Sequence, residues 1–452
     1  SQVEEAVRFA RALGEGMPAL ALRGGQPIEA RMAARAIADA LSLVPAFFEG
    51  DPAPGFGPWL WLTGHLPVLC LELAPGERRR LPRIPGYPGP LLVGTGPDGC
   101  LEREGEPVGQ WRLALPDAHE RRVLWARATG DPALADALAG RFRQGAARIA
   151  ALARAGQFEA TLGGESLQAA HVLRAGRRGA AVDLGALAEP MVEDIPDQAL
   201  VLTPSLRVEL DMLCQRCLAR DRLDEGLGPA MRARFRPGVR ALLYGPSGTG
   251  KSLAVGWLAT RIGLPLYRVD LASVTSKYIG ETEKNLAQLF ARAEHAEVVL
   301  MFDEADALFG KRTEVKDSND RFANAQTNYL LQRIESFEGI AILASNSRAR
   351  FDAAFTRRLD AIVEFPQPAP EERRGLWLAH LGQAHDLSPA EVNRLAAVCD
   401  LAGGHIRNAT LWAASAARAQ GRPIAFADLA AGVLAEYRKL GRQAPTALQG
   451  CA

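Results

Sequence analysis

A glycine-rich segment that ends in lysine and serine carries the strongest chemical signal in this 452-residue sequence. It fits the pattern GxxxxGK[ST], and its residues are Gly245, Pro246, Ser247, Gly248, Thr249, Gly250, Lys251 and Ser252. Glycines at such spacing let backbone N–H groups surround phosphate oxygens, and a following helix adds its positive N-terminus. The pattern predicts that Lys251 contacts the β- and γ-phosphates of a nucleotide and that Ser252 binds Mg²⁺.

Polar side chains also follow two apolar runs further along the chain. Asp303 and Glu304 come directly after the run 298–302, which is typical of a buried parallel strand. Asp303 is predicted to hold the magnesium shell, and Glu304 to orient and deprotonate a water. Asn346 follows the run 340–344 and is predicted to hydrogen-bond the attacking water or the γ-phosphate.

Arg357 and Arg358 stand side by side before another apolar run. An arginine pair in this place is either a solvated edge or a source of positive charge for a nucleotide bound to the next subunit. Both interpretations stay open from the residues alone.

In combination these motifs resemble the AAA+ ATPases, specifically the classical clade of ring-forming protein remodellers, over about residues 200–440. The resemblance implies an α/β fold, with a parallel sheet sandwiched by helices and a helical lid, and it implies ATP and Mg²⁺ as ligands. By the same resemblance Asn346 is sensor 1, and Arg357 or Arg358 is the arginine that acts on a neighbour. His405 and Arg407 fall where sensor 2 would contact the nucleotide.

The resemblance further implies a homo-oligomeric ring, a hexamer, that acts on a protein client. Lys277, Tyr278, Ile279 and Gly280 would form a pore loop in which the aromatic ring grips an extended polypeptide. The alternative for Tyr278 is a buried aromatic anchor. The amino-acid sequences of several motifs are similar to those of bacterial AAA ATPases that are often encoded with phage-tail-like contractile injection systems.

An internal repeat indicates a second, degenerate copy upstream. The segment from Ala21 aligns with that from Ala241 at a constant offset, and Pro116–Trp125 echoes Pro368–Trp377. On this register the glycine loop becomes residues 25–32, which lack the interior glycines, the lysine and the serine. The repeat predicts a catalytically dead AAA-like module with its own lid over 1–160, serving as scaffold, ring stabiliser or adaptor. An unrelated α/β domain with chance repeats is the alternative.

The remaining organisation follows from breaks and helical patterns. We expect a connector over 161–205, an ATPase core over 206–366 and a helical lid over 367–452, with one long helix across 317–337. Cys214 and Cys217 lie in a helical pattern without a second cysteine pair, so they are interpreted as small apolar core residues rather than zinc ligands.

Composition narrows the classes of function. The chain has 48% hydrophobic residues and a formal charge of +1, and its first 250 residues contain no lysine. The near-zero charge argues against a nucleic-acid motor or loader, and the absence of a long apolar run and of a disulfide pattern favours a cytoplasmic protein. The sequence therefore predicts an ATP-hydrolysing, ring-forming remodeller or unfoldase. The alternatives that stay open are a nucleotide-switch assembly scaffold without threading and, less favoured by the charge, a nucleic-acid motor or loader.

Overall fold

The computed structural model describes residues 2–24, 27–73, 76–96, 98–178, 184, 187–233, 235–271, 281–305, 329–348, 351 and 353–448. Two mainly parallel sheets, each followed by a group of helices, account for most of these residues.

The first sheet has five parallel strands in the order β2-β3-β5-β1-β7. Alternate residues of β1 point to opposite faces: Leu20 and Leu22 pack under α1 and α2, whereas Ala19 and Ala21 face a second apolar cluster with α3. The elements are α1 Gln2–Gly14, β1 Ala19–Arg23, α2 Pro27–Ala40, β2 Val44–Phe48, α3 Phe56–Thr63, β3 His65–Cys70, β4 Arg78–Arg80, β5 Leu91–Thr95, β6 Cys100–Glu102 and β7 Val108–Arg112.

Four helices follow this sheet and form an N-terminal lid. The Asp117 side chain caps the first of them in a capping box with Glu120, and Asp131 caps the second. The helices are α4 Ala118–Thr129, α5 Pro132–Ala139, α6 Ala146–Gly163 and α7 Ala169–Arg178.

The second sheet has six strands in the order β13-β9-β12-β11-β10-β8, and only β8 is antiparallel to its neighbour. Its central strands are buried along their whole length, which explains their continuous apolar sequences. The elements are β8 Ala188–Met191, α8 Pro204–Ala219, α9 Pro229–Arg232, β9 Val239–Tyr244, α10 Lys251–Ile262, β10 Leu266–Val269, α11 Glu281–Ala296, β11 Val299–Phe302, β12 Ile340–Ser345, α12 Ala353–Thr356 and β13 Ala361–Glu364.

A C-terminal lid closes the described chain. Its helices enclose a separate apolar core around the fully buried Trp377. They are α13 Pro370–Leu381, α14 Pro389–Val398, α15 Gly403–Ala419 and α16 Phe426–Lys439.

The N-terminal lid shares one hydrophobic core with the second sheet. Trp125 and Phe142 of this lid belong to the same buried cluster as Trp257 of α10 and Val299 of β11. Polar contacts reinforce the junction: Arg141 donates to the carbonyl of Arg261 at 2.8 Å, and the Gln144 amide donates to that of Ala296 at 3.2 Å. These contacts fix the N-terminal lid to the second sheet.

Several predicted boundaries differ from the structure. Residue 160 lies inside α6, and the segment expected to be a connector supplies α7 and the edge strand β8, so the segment 161–205 is more than a link. Residues 329–336 of the helix predicted over 317–337 are helical. The first part of that prediction, residues 317–328, lies outside the described residues. Cys214 and Cys217 are buried in the shared core, and burial raises the pKa of the Cys217 thiol to about 12.

Candidate nucleotide site

The glycine-rich loop joins β9 to α10 and depends on glycine at three points. Gly245, Gly248 and Gly250 have φ angles of 150°, 79° and 101°, a region that side chains disfavour. A Cβ on Gly245 would lie 2.0 Å from the carbonyl oxygen of Phe365, so the loop also needs glycine for its close approach to the end of β13. The loop geometry is therefore built into the sequence.

Lys251 begins α10 and is buried beneath this loop. Its Nζ donates to the carbonyl oxygens of Gly245 at 2.7 Å and Pro246 at 2.9 Å, and to Oδ1 of Asn346 at 3.1 Å. The ammonium group thus sits where the loop and the end of β12 meet. The structure brings together Lys251 and Asn346, which are 95 positions apart in the sequence.

The predicted metal-binding pair lies beside Lys251. Ser252 Oγ donates to Oδ2 of Asp303 at 3.3 Å, and Oδ1 of Asp303 accepts from the backbone N–H of Glu304 at 2.9 Å. A hydroxyl and a carboxylate at this spacing are the oxygen donors that Mg²⁺ prefers, so the residues fit this ion. Glu304 is exposed and has a positive φ of 50°, which side chains rarely adopt.

The C-terminal lid touches the loop at the start of α15. The backbone N–H of Gly404 donates to the carbonyl oxygen of Gly248 at 3.0 Å. His405, the next residue, pairs through Nδ1 with Glu436 Oε2 at 2.9 Å, within the lid. Exposed Arg407 lies close to His380 of α13, whose pKa is lowered by burial and then by that positive charge. Neither His405 nor Arg407 has a described contact with the glycine-rich loop.

The two adjacent arginines differ in their partners. Arg358 forms an ion pair with Glu335, whereas Arg357 is exposed and has no ion pair to a described side chain. Only Arg357 is thus available to a neighbouring molecule without first breaking a contact. The pore-loop residues Lys277, Tyr278, Ile279 and Gly280 lie outside the described residues.

Sequence reasoning missed a cation at the rim of the site. The Arg348 guanidinium lies over the ring of Tyr244, 5.6 Å from its centroid, and the Tyr244 hydroxyl donates to Glu364 at 2.8 Å. Their positions in the sequence could have indicated this contact, because Tyr244 immediately precedes the glycine-rich loop and Arg348 follows Asn346 by two residues.

The comparable place in the first sheet is built differently. Glu29 is buried near the start of α2, and it accepts a hydrogen bond from the backbone N–H of Ala147 in the first turn of α6. A Cβ on Gly145 would lie 2.1 Å from Oε1 of Glu29, so the carboxylate sits against the N-terminus of the lid helix. Burial raises the pKa of Glu29. A buried carboxylate of α2 thus lies against the N-terminus of α6.

Comparison with known proteins agrees with this geometry. Residues 241–367 match the model of the ATPase family associated with various cellular activities (AAA). They are an AAA domain. Its parallel sheet, glycine-rich loop and strand-end polar residues are the parts described above.

The curated relatives align with part of the chain. A 26S proteasome regulatory subunit 10B homolog of Arabidopsis thaliana is 32% identical over 157 residues, covering 33% of this chain and 39% of the relative. An AAA family ATPase of Sinorhizobium fredii is 37% identical over 131 residues, covering 28% of this chain and 39% of the relative. Proteasome-activating nucleotidase 2 of Haloferax volcanii is 31% identical over 194 residues, covering 41% and 47%. The chain thus spans less than half the length of these relatives.

A solved structure of the FIGL-1 AAA domain in complex with ADP aligns with 56% of this chain and 87% of its own, at 22% identity and a TM-score of 0.44. Among the described residues, none of the helices combines the length and apolar character needed to cross a bilayer.

Proposed function

We propose that this chain hydrolyses ATP and uses the energy to remodel a protein client as part of a homo-oligomeric ring. The observation that carries the proposal is the convergence of Lys251, Ser252, Asp303 and Asn346 at the carboxyl ends of β9, β11 and β12. In parallel α/β sheets this edge is where ligands bind. The match to the AAA family and the proteasomal names of several relatives support the same proposal.

Each residue has a distinct task in this proposal. Lys251 would leave the loop carbonyls to contact the β- and γ-phosphates, and Asn346 would hydrogen-bond the γ-phosphate or the attacking water. Ser252 and Asp303 would hold Mg²⁺, which neutralises charge on the phosphates when it is bound. Glu304, with its exposed carboxylate, would accept the proton of the attacking water.

A neighbouring subunit completes the site. The contacts above include no arginine positioned to stabilise charge on the γ-phosphate within the same described chain, and Arg357 is exposed and available to act on the next copy. Such an arginine is worth roughly 10³–10⁵ in turnover in related nucleotide hydrolysis. Hydrolysis would then depend on assembly, for which we propose a hexamer.

The client would be gripped at Tyr278. This step rests on the sequence resemblance of residues 277–280 to a pore loop. The similarity of several motifs to bacterial AAA ATPases that are often encoded with contractile injection systems supports a client from such a system, during its assembly or cargo loading, and we propose that the protein itself acts in the cytoplasm. Tyr278 would hold client segments of many different sequences, because an aromatic ring packs against any side chain.

The test is ATP turnover per subunit against protein concentration, with particle mass recorded in ATP. We expect turnover to rise as a large ring forms, and we expect unstructured casein to stimulate the wild type but not Tyr278→Ala. Tyr87→Phe, in the first module, serves as a matched aromatic control outside both the pore loop and the nucleotide site. Turnover that is independent of concentration in a monomer would contradict the ring.

A nucleotide-switch scaffold is the second candidate, and the shared core between the N-terminal lid and the second sheet favours it. A rigid junction of this kind suits a module that passes one conformational change to bound partners. In that case Tyr278→Ala would leave client release unchanged, whereas Lys251→Ala would abolish it.

A further inference from the structure

The outer strand of the first sheet has an open edge. Among the described residues, β2 pairs with β3 and with no other strand. The backbone N–H of Val44 donates to the carbonyl oxygen of Gly64 at 3.1 Å, so the backbone of Val44 faces β3. Because successive residues of a strand alternate, the N–H and C=O of Phe47 point away from the sheet. Pro45 also lies on this outward side, where proline is tolerated because its missing N–H removes no bond to β3.

The equivalent edge of the second sheet is covered. β10 holds the place of β2 in the strand order, and β8 pairs with its outer side in the antiparallel direction. The backbone N–H of Asp270, one residue after β10, donates to the carbonyl oxygen of Leu187 at 2.9 Å. Arg268 of β10 forms an ion pair with Glu189 of β8 at 2.9 Å. The same framework of strands therefore accommodates a short antiparallel strand at this edge, and the first sheet leaves that place open to solvent.

An exposed apolar patch adjoins the open edge. Val44 is 55% exposed, and Trp61 and Leu62 on the neighbouring helix α3 are 67% and 79% exposed. Trp59 connects the patch to the strands, because its ring lies 4.6 Å from that of His65, the residue of β3 that is in register with Val44. Exposed apolar side chains that cluster in this way mark an interaction surface.

The patch and the edge are presented on one face of the sheet. Phe48 of β2 packs against Phe56 of α3, with 5.1 Å between the ring centroids. Val44 lies four positions before Phe48 and therefore points to the same face. A strand added beside β2 would thus have one face turned towards α3 and its exposed side chains.

An extended polypeptide fits both features. Its backbone would bond to the outward N–H and C=O of Phe47, as β8 bonds to β10. The residue opposite Phe47 would point away from α3, so the residues on either side of it would point towards the patch and would have to be apolar. A second copy of β2 is a poorer match. When Phe47 pairs with its own copy, Val44 stands opposite Gly50, which has no side chain to cover the patch.

We propose that the open edge of β2 binds an extended segment of a partner polypeptide. The segment adds to the first sheet as an antiparallel strand and places apolar side chains, at alternate positions, beside Val44 and α3. The first module is then a docking point for a partner protein, separate from the nucleotide site of the AAA domain.

The test is fluorescence anisotropy with a fluorescein-labelled peptide, Thr-Val-Thr-Ile-Thr-Val, on the full chain carrying Tyr278→Ala, so that the proposed pore loop does not contribute. Two N-methylated forms of the peptide are a matched pair. One is methylated on the nitrogen of the central threonine, whose N–H would donate to Phe47, and the other on that of isoleucine, whose N–H would point away from β2. We expect the first methyl group to weaken binding at least about tenfold and the second less than about twofold.

A pair of protein variants tests the apolar patch in the same background. Val44→Asp should weaken peptide binding at least about fivefold, because a charge would face the apolar side chains of the peptide. Val208→Asp is the control, since this valine of α8 is 62% exposed and belongs to the second module. Both valines are exposed, so neither substitution disturbs a buried core.

The proposal is overturned if the peptide does not bind, if both methylated peptides bind alike, or if the two valine variants bind alike. It is also overturned if Val44→Asp lowers the particle mass of the chain, because a second copy would then cover the edge. None of these outcomes depends on whether the chain hydrolyses ATP.

Discussion

The two sheets share one strand order but differ in what stands at their carboxyl ends. Without β8, the second sheet reads β10-β11-β12-β9-β13, which corresponds strand for strand to β2-β3-β5-β1-β7. At the carboxyl edge the second sheet carries Lys251, Asp303 and Asn346, whereas the first carries Arg31, Glu72 and Thr95. The same framework of strands therefore carries different polar side chains at its carboxyl edge, and those side chains decide what chemistry the edge can support.

The two lids repeat one buried contact with a change of partner. Arg121 Nε donates to the Ala139 carbonyl and Nη1 to that of Pro116, and Arg373 makes the equivalent bonds to Ala396 and Pro368. The acid differs in origin. Asp400, which pairs with Arg373, belongs to the same lid, whereas Asp221, which pairs with Arg121, follows α8 of the second module. The N-terminal lid has thus exchanged an internal contact for one that fixes it to the AAA domain. This correspondence supports our proposal that the first module is a degenerate copy.

The largest expected effect separates the two adjacent arginines. Arg357→Ala should lower ATP turnover about 1,000-fold or more at concentrations where the ring is complete, because a neighbour loses its transition-state charge. Arg358→Ala, the matched control, should lose much less because its guanidinium is already paired with Glu335. Turnover and particle mass are measured on the same samples. Equal losses for both variants would contradict the assignment.

The next effect compares two glutamates at equivalent strand ends. Glu304→Gln should lower turnover about 100- to 1,000-fold while ATP binding persists, since an amide cannot accept the proton of the attacking water. Glu72→Gln should change turnover less than about threefold, because this carboxylate pairs with Arg292 at an exposed junction. Single-turnover hydrolysis and nucleotide binding are measured for each variant. A large loss in Glu72→Gln would mean that the first module takes part in the chemistry.

A smaller effect concerns the two buried lid arginines. Arg121→Met should destabilise the chain by about 2 kcal/mol, because two buried carbonyls and Asp221 lose a donor. Hydrogen exchange should rise in both the N-terminal lid and α10, which share one core. Arg373→Met should raise exchange only in the C-terminal lid, whose core is separate. Exchange confined to α4–α7 in Arg121→Met would show that the junction is weaker than the structure indicates.

The smallest effect tests the buried carboxylate of Glu29 at the N-terminus of α6. The pKa of Glu29 is raised in the folded chain, so its contribution to stability is present at low pH and is lost as the pH rises through the folded pKa. Glu29→Gln should therefore stabilise the chain by about 1 kcal/mol at neutral pH, and the gain should vanish below pH 4.5, the ordinary pKa of this group. Urea unfolding at pH 7 and pH 4 measures this; a loss of stability at pH 7 would contradict it.

The sequence by itself determined which polar residues meet at the carboxyl edge of the second sheet. The glycine loop, Lys251, Ser252, Asp303 and Asn346 were all predicted, and the structure brings them together, because each lies next to a strand whose apolar run forces its position. The internal repeat was also readable, since Pro116–Trp125 and Pro368–Trp377 use the same residues for the same buried contacts.

Only the tertiary structure decided how the two modules meet. The apolar residues of α4–α7 look alike whether they face their own sheet or another, so the sequence did not show that these helices pack against the second sheet or that α6 runs through residue 160. Packing also decides which charged side chains come within reach of one another. The pairs formed in this way are Arg358 with Glu335, His405 with Glu436, and Arg292 with Glu72. The residues of a motif are placed by their neighbours in the sequence or by the ends of adjacent strands. The residues of these ion pairs, in contrast, come together only when whole helices and modules pack against one another.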